Sequence, residues 1–241
     1  MINFLRTIWL YINGVISIII IGTLVILIGV FDKKKYITGK LTRIWGKWIC
    51  FISFIELQIE GLGHISPNQQ YIFVSNHESM LDIPVALSLL PYNIIFLTKK
   101  ELFKIPFFGW AMNSAGMIRV NRQNREKAKI SVEEALKSLK EKNINVLVYP
   151  EGTRTNPNQM LKFKKGSFIL AIESGLPIVP LTTLNTGKNL PSKQILLNDK
   201  IIIKLKIHPP IETKGLSIEN DKNHLCNLTH DIILNDLKKY V

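Results

Sequence analysis

A chain of 241 residues can hold one α/β domain with a sizeable core and a further piece at one end. Its net charge of +13 and pI near 9.7 would suit nucleic acid, an anionic lipid surface or a phosphorylated substrate equally well. No zinc finger, RNA-binding sheet signature or basic helix favours nucleic acid. Cys50 and Cys226, far apart, exclude a disulfide framework and fit a reducing compartment.

Residues 7–31 run 25 positions without a charge and are rich in Ile, Leu and Val, enough for a helix to cross a hydrocarbon layer of roughly 30 Å. The run is too long for a signal-peptide core and has no small-residue cleavage site behind it, so it reads as a retained membrane anchor. Residues 41–57 form a second segment in which Trp45, Trp48, Ile49, Phe51, Ile52, Phe54 and Ile55 alternate with Arg43 and Lys47. Trp beside basic residues favours the headgroup layer, so this segment either lies in the interface or returns the chain to its starting side. Lys33, Lys34, Lys35 and Lys40 outnumber the lone Arg6. If the first segment spans, the positive-inside rule therefore puts the rest of the chain on the cytoplasmic side of the membrane. The expected division is a membrane-associated helical segment over 1–57 and a catalytic domain over 58–241.

Beyond residue 57 short apolar runs alternate with amphipathic stretches, an α/β pattern. Strands are expected at 57–60, 71–75, 94–98, 117–120, 146–149, 178–181 and 201–207. Helices are expected at 126–142, at 166–174 with Gly175 as the stop, and around 225–238. The fold class is a mostly parallel or mixed sheet flanked by helices.

Three constellations stand at strand ends. In Asn76-His77-Glu78-Ser79-Met80-Leu81-Asp82, an imidazole and a carboxylate are five residues apart. On a continuous helix they would point about 140° apart. Pro84 disfavours the α conformation at Ile83 and suits a first helical position, so the helix is expected to start after Asp82, leaving the pair in a turn that can fold carboxylate to ring. A His held by an Asp is a general base; a satisfied histidine beside a helix-capping aspartate is the other reading, and spacing alone leaves both open. A zinc site is not expected, because Leu81 stands where a zincin helix needs its second His. In Val148-Tyr149-Pro150-Glu151-Gly152-Thr153-Arg154-Thr155, Gly152 lets a substrate approach the backbone and Arg154 can grip a phosphate bidentately. Gly116-Met117-Ile118-Arg119-Val120-Asn121-Arg122 ends another strand on a guanidinium.

Together these motifs resemble the glycerolipid acyltransferase family, and within it the bacterial-type 1-acylglycerol-3-phosphate (lysophosphatidate) acyltransferases, over roughly residues 71–182. Asn76, His77 and Asp82 match the first family motif, Gly116 and Arg122 the second, residues 149–155 the third, and Leu176-Pro177-Ile178-Val179-Pro180-Leu181 the fourth. Lys99-Lys100-Glu101-Leu102 and Phe163-Lys164-Lys165-Gly166 also match stretches common in the family. The chain departs from the pattern in placing Asn121 where an Asp is usual and in the extra charge of Arg119.

The resemblance implies transfer of a fatty acyl group from acyl-CoA or acyl carrier protein to the free sn-2 hydroxyl of lysophosphatidate, giving phosphatidate. It implies His77 as base, Asp82 as its orienter, and no cofactor beyond the acyl donor. Arg122 and Arg154 would hold the phosphate, with Lys99 a weaker third. Glu151 would accept from a glycerol hydroxyl or fix an Arg, an ion pair being its plainer use, and Gly152 and Thr153 would touch the glycerol. With no Gly-x-Ser-x-Gly elbow and no suited Cys, direct transfer without an acyl-enzyme is expected. Expected partners are lysophosphatidate, the acyl donor and membrane phospholipids, not nucleic acid. Two alternatives remain: the same chemistry on glycerol 3-phosphate or another lysolipid, and a non-catalytic protein binding anionic lipid. His64, His208, His224 and His230 have no partner at catalytic spacing, and the stretch 110–116 reads as packing.

Overall fold

In the computed structural model, β1 (Leu57–Glu60), β2 (Ile72–Ser75), β3 (Ile94–Lys99), β4 (Ile118–Val120), β5 (Asn145–Val148), β6 (Ile178–Leu184) and β7 (Ile203–Ile207) form one sheet in the order β1-β7-β6-β2-β5-β3-β4. The structure describes residues 1–120, 125–142, 144–157, 159–198 and 202–240, with 125–129 given by their backbone alone. All neighbours are parallel except β6 and β7, so the sheet is mixed, as expected. β2, buried at all four residues, lies between β5 and β6, which is why its sequence is continuously apolar rather than alternating. The two motifs that follow β2 and β5 therefore emerge side by side at the carboxyl edge of the sheet, where α/β folds bind ligands.

Each strand divides its side chains between two helical layers, as a period of two requires. Ile72, Val74, Val146, Val148 and Ile178 pack with Ala135 and Leu139 of α5 (Arg125–Glu141), Phe168 and Ala171 of α6 (Gly166–Ser174), and Leu225 and Ile233 of α8 (Lys222–Leu237). Phe73, Leu147, Val179 and Leu181 face the other way, onto Ala86, Leu87 and Leu90 around α3 (Asp82–Leu89). The expected elements are all present among the described residues, displaced by a few positions. The four-residue helix α7 (Thr186–Asn189) and helix α4 (Phe108–Ser114) were not expected.

The N-terminal helices are α1 (Ile2–Gly29) and α2 (Tyr36–Ile52). α2 is offset by five residues from the expected 41–57 because Asp32 caps it. The Asp32 carboxylate accepts the N–H groups of Tyr36 (3.0 Å) and Thr38 (2.8 Å), donors a helix start leaves unpaired. Its far end stops at Ile52, and Phe54 takes a positive φ of 55°, releasing residue 57 into β1. α2 presses on α3 through Gly46, where a Cβ would come 2.7 Å from Leu87 Cβ.

α1 is the one described helix long and apolar enough to cross a membrane, with a mean hydropathy of 2.5. It touches the rest of the protein along its whole length. Thr7 Oγ1 accepts the Leu197 N–H at 3.0 Å, a Cβ on Gly22 would come 2.8 Å from the Phe107 ring, and one on Gly29 would come 2.8 Å from the Ser114 carbonyl. From Thr7 to Gly29 is about 33 Å of helix. The opposite face exposes Ile8, Ile12, Ile16, Ile19 and Leu27. Beside α1, the 110–116 stretch packs on Gly22 and Gly29 through Ala111 and Ser114, while Ala111 and Met112 also line a cavity and Trp110 is 63% exposed.

Candidate active site

β2 ends at Ser75, and the next side chain still belongs to the sheet. Asn76 donates from Nδ2 to the Thr183 carbonyl (2.9 Å) and accepts the Thr183 N–H on Oδ1 (2.8 Å), prolonging the pairing with β6 by one residue. The chain then turns, and His77 Nδ1 meets Asp82 Oδ2 at 2.6 Å. The same oxygen accepts the N–H groups of Glu78 and Ser79, each at 2.9 Å. Asp82 is the first residue of α3 rather than the last before it, and Pro84 is the third. A proline is accommodated there because the first N–H groups of a helix have no intrahelical acceptor to lose. Asp82 Oδ1 is buried without a partner among the described residues, so the carboxylate spends its hydrogen bonding through Oδ2, on the ring and the turn. The imidazole side chain is 17% exposed, and its Nε2 carries no hydrogen bond among the described residues.

The second motif acts on His77 and not only beside it. Glu151, buried, accepts the His77 N–H on Oε1 (2.8 Å) and the Leu161 N–H on Oε2 (2.8 Å). Thr155 donates to the His77 carbonyl from its N–H (2.9 Å) and from its hydroxyl (3.2 Å). Tyr149 stacks on the imidazole, with ring centroids 4.2 Å apart and planes 22° apart. Burial, and secondarily the Asp82 charge, push the Tyr149 phenol well above its ordinary pKa. Burial also raises the Glu151 carboxyl, partly offset by its bonds to Leu161 and His77. The sequence anticipated Glu151 as a substrate contact or an ion-pair partner; both of its oxygens instead hold backbone. Thr155 and Asn76 as braces were missed because their contacts cross 78 and 107 residues of sequence.

Arg154 is half-buried and makes no hydrogen bond or ion pair among the described residues; Thr153 is exposed. Gly152 has a φ of 77°, and a Cβ there would come 2.7 Å from Lys164 Nζ, so glycine answers both to the turn and to the ammonium lying across it. Lys164 thus brings a cation to the motif that only the Phe163-Lys164-Lys165-Gly166 match hinted at. Lys99 ends β3 at the same edge of the sheet, exposed. Arg119 points outward, over the Phe103 ring at 4.8 Å. Arg122 and Asn121 lie outside the described residues.

An apolar cavity of about 200 Å³ lies between α1, α2, α3, β3 and α4, lined by Ile18, Val25, Trp45, Leu87, Phe96 and Met112 among others. No dyad residue lines it. Phe96 does, and it stacks on Tyr149 at 6.4 Å, which in turn stacks on His77, so the cavity approaches the imidazole through two aromatic contacts. Away from this edge, His208 has a structural role, in keeping with its lack of a partner at catalytic spacing. Its Nε2 is 2.8 Å from Thr182 Oγ1 and 3.7 Å from Asp236 of α8, a buried link between helix and sheet.

A braced imidazole at the carboxyl edge of a mixed α/β sheet, with cationic side chains and an apolar cavity near it, is the arrangement of a general-base site. A family model described as acyltransferase matches residues 56–183. The chain is 32% identical over 188 residues to the chloroplastic 1-acyl-sn-glycerol-3-phosphate acyltransferase of Arabidopsis thaliana, covering 78% of this chain and 50% of that one. It is 32% identical over 196 residues to the 1-acyl-sn-glycerol-3-phosphate acyltransferase of Limnanthes alba, covering 81% and 68%. The crystal structure of the 1-acyl-sn-glycerophosphate (LPA) acyltransferase PlsC from Thermotoga maritima superposes with a TM-score of 0.82 at 26% identity, covering 99% of this chain and 95% of that one. The chain belongs to the acyltransferase family. It spans about half the length of the chloroplast relatives it matches.

Proposed function

We propose that this protein is a 1-acylglycerol-3-phosphate O-acyltransferase, moving a fatty acyl group from acyl-CoA or acyl carrier protein to the sn-2 hydroxyl of lysophosphatidate and releasing phosphatidate and the free thiol. The observation that carries the reading is His77, its Nδ1 fixed by Asp82 and its Nε2 without a partner among the described residues. An alcohol is a poor nucleophile at neutral pH. Nε2 takes the hydroxyl proton as the oxygen attacks the thioester carbonyl, and Asp82 holds the tautomer and steadies the imidazolium. The tetrahedral intermediate then expels the thiolate, to which His77 returns the proton. No acyl-enzyme is required. Arg154, with Arg122, Lys164 and Lys99, supplies charge for the phosphate, which calls for more than one cation. The apolar lining of the cavity that α1 and α2 help to wall suits the acyl chain.

The same geometry argues for how the protein meets the membrane. A helix packed on its domain over about 33 Å cannot cross a hydrocarbon layer of roughly 30 Å without drawing the domain in with it. α1 therefore lies against the bilayer with one face in lipid and the other on the enzyme, and the catalytic domain stays on one side of the membrane. Lipid substrate then reaches the site without passing through water.

The test is mass spectrometry of lipids formed by the purified protein in detergent from a mixed pool of acceptors and donors. Phosphatidate should form with the wild type and fall about 10² to 10⁴-fold with His77→Ala. Full activity of that variant would reject His77 as base, and a product from glycerol 3-phosphate in place of phosphatidate would reject the acceptor.

A further inference from the structure

We propose that the 190–198 loop is a separate membrane contact, which places Ile195 and Leu196 in lipid beside the exposed face of α1; this rests on reading α1 as lying against the bilayer. The base of the loop is fastened on every side. Leu190 and Leu197 are buried with Leu10, Ile49 and Ile203. The Asn198 N–H donates to the Asn189 carbonyl (2.8 Å), and the Gln194 N–H closes a turn onto the Pro191 carbonyl (3.0 Å). Two bonds tie the loop to the start of α1: the Leu197 N–H to Thr7 Oγ1 (3.0 Å) and Arg6 Nη1 to the Asn198 carbonyl (3.3 Å). Arg6 Nη2 reaches the Ser53 carbonyl at the end of α2 (3.1 Å), so one guanidinium joins α1, α2 and the loop, and it is spent on protein rather than on headgroups.

Between these fixed ends the tip offers apolar surface to solvent. Ile195 is 71% exposed and Leu196 45%, with exposed Lys193 two positions before. A single exposed aliphatic residue is ordinary, but here two in succession stand on a braced tip whose base is bonded to Thr7 and Arg6 of α1, next in sequence to exposed Leu5, and Arg6 in turn bonds Ser53, next to exposed Phe54. Apolar side chains with a lysine able to snorkel suit the boundary between headgroups and acyl chains. The loop base also holds the catalytic turn, since Ser79 Oγ donates to the Leu190 carbonyl at 2.7 Å. A contact here fixes the orientation of the dyad to the bilayer, which two helices sharing one face leave free to roll.

Both native cysteines are buried, so Ile195→Cys in the full chain can be labelled selectively with an environment-sensitive fluorophore such as NBD. On vesicles of phosphatidylcholine and phosphatidylglycerol, its emission should shift to the blue and become quenchable by brominated acyl chains. The double variant Ile195→Asp, Leu196→Asp should partition onto the same vesicles roughly tenfold less while keeping its turnover of a short-chain acceptor in detergent. Water-like emission from protein that has bound vesicles overturns the proposal and leaves the reading of α1 intact. A wild type that does not bind vesicles overturns both. A blue shift that appears with protein concentration alone, without lipid, marks contact between copies and also overturns it.

Discussion

His77 is held at three points, one close in sequence and two distant: the ring by Asp82, the amide by Glu151 and the carbonyl by Thr155. The ring contact was legible because its partners are five residues apart and a turn was predictable between them. The backbone contacts were not, since no spacing rule relates residue 77 to residue 151, and a carboxylate three positions before Arg154 invites a substrate role. Glu151→Gln tests the corrected role. Glutamine can accept only one of the two N–H groups, the amide nitrogen facing the other donor to donor, so kcat should fall while the KM for lysophosphatidate stays close to that of the wild type; a selective rise in KM would restore the substrate contact. The pH dependence has a definite sign. A carboxyl whose folded pKa is raised binds its proton more tightly folded than unfolded, so this group's contribution to stability is fullest below its ordinary value near 4.5 and is lost as pH rises through the raised one. Thermal midpoints across that acidic range should therefore decline more steeply with rising pH for the wild type than for Glu151→Gln. Arg154, without a partner among the described residues, behaves in the opposite way. Arg154→Ala should raise the KM for a phosphorylated acceptor by about tenfold or more, the loss of a charge-assisted pair, with little change in thermal midpoint.

Among the elements, the strands were placed closely because a parallel sheet buried on both faces writes itself as short continuous apolar runs bounded by turns. The N-terminal helices and α4 were less legible. Asp32 starts α2 through a side-chain cap upstream of the apolar pattern, and α4, seven residues long with only Gly109 buried, packs on α1 at Gly22 and Gly29 without a periodicity of its own to announce it. The contact between α2 and α3 matters most for the site, because α3 carries Asp82 at its first position. Gly46 lets the two helices approach, with Leu87 Cβ 2.7 Å and the Pro84 carbonyl 2.9 Å from where its Cβ would stand. Gly46→Val should force them apart, costing about 1–3 kcal/mol of stability by overpacking. Because the shift moves the carboxylate off the ring, kcat should drop more than the loss of folded protein accounts for. A variant that is less stable but fully active per folded molecule would show that the dyad is insulated from the helix behind it.

At the scale of the whole molecule, the apolar N-terminal helices and the catalytic sheet are parts of one enclosure, since the cavity near His77 takes its walls from α1 and α2 as well as from α3, β3 and α4. Composition could announce α1 as a membrane helix but not that its inner face completes a cavity, because that depends on which residues α4 and β3 bring opposite it. If this space takes the acyl chain, its length is set partly by α1. Val25 is buried in that wall. Val25→Phe puts a ring into a space of about 200 Å³ without touching the dyad, its braces or the cations at the sheet edge. Competing long-chain against medium-chain acyl donors for one acceptor should then show the long-chain rate falling by roughly tenfold relative to the other, the scale on which a hydrophobic pocket discriminates small changes in length. The medium-chain rate should remain near that of the wild type, which separates a shortened pocket from a damaged enzyme. An unchanged ratio with the ring in place would move the acyl chain out of this cavity, leaving α1 as an anchor alone.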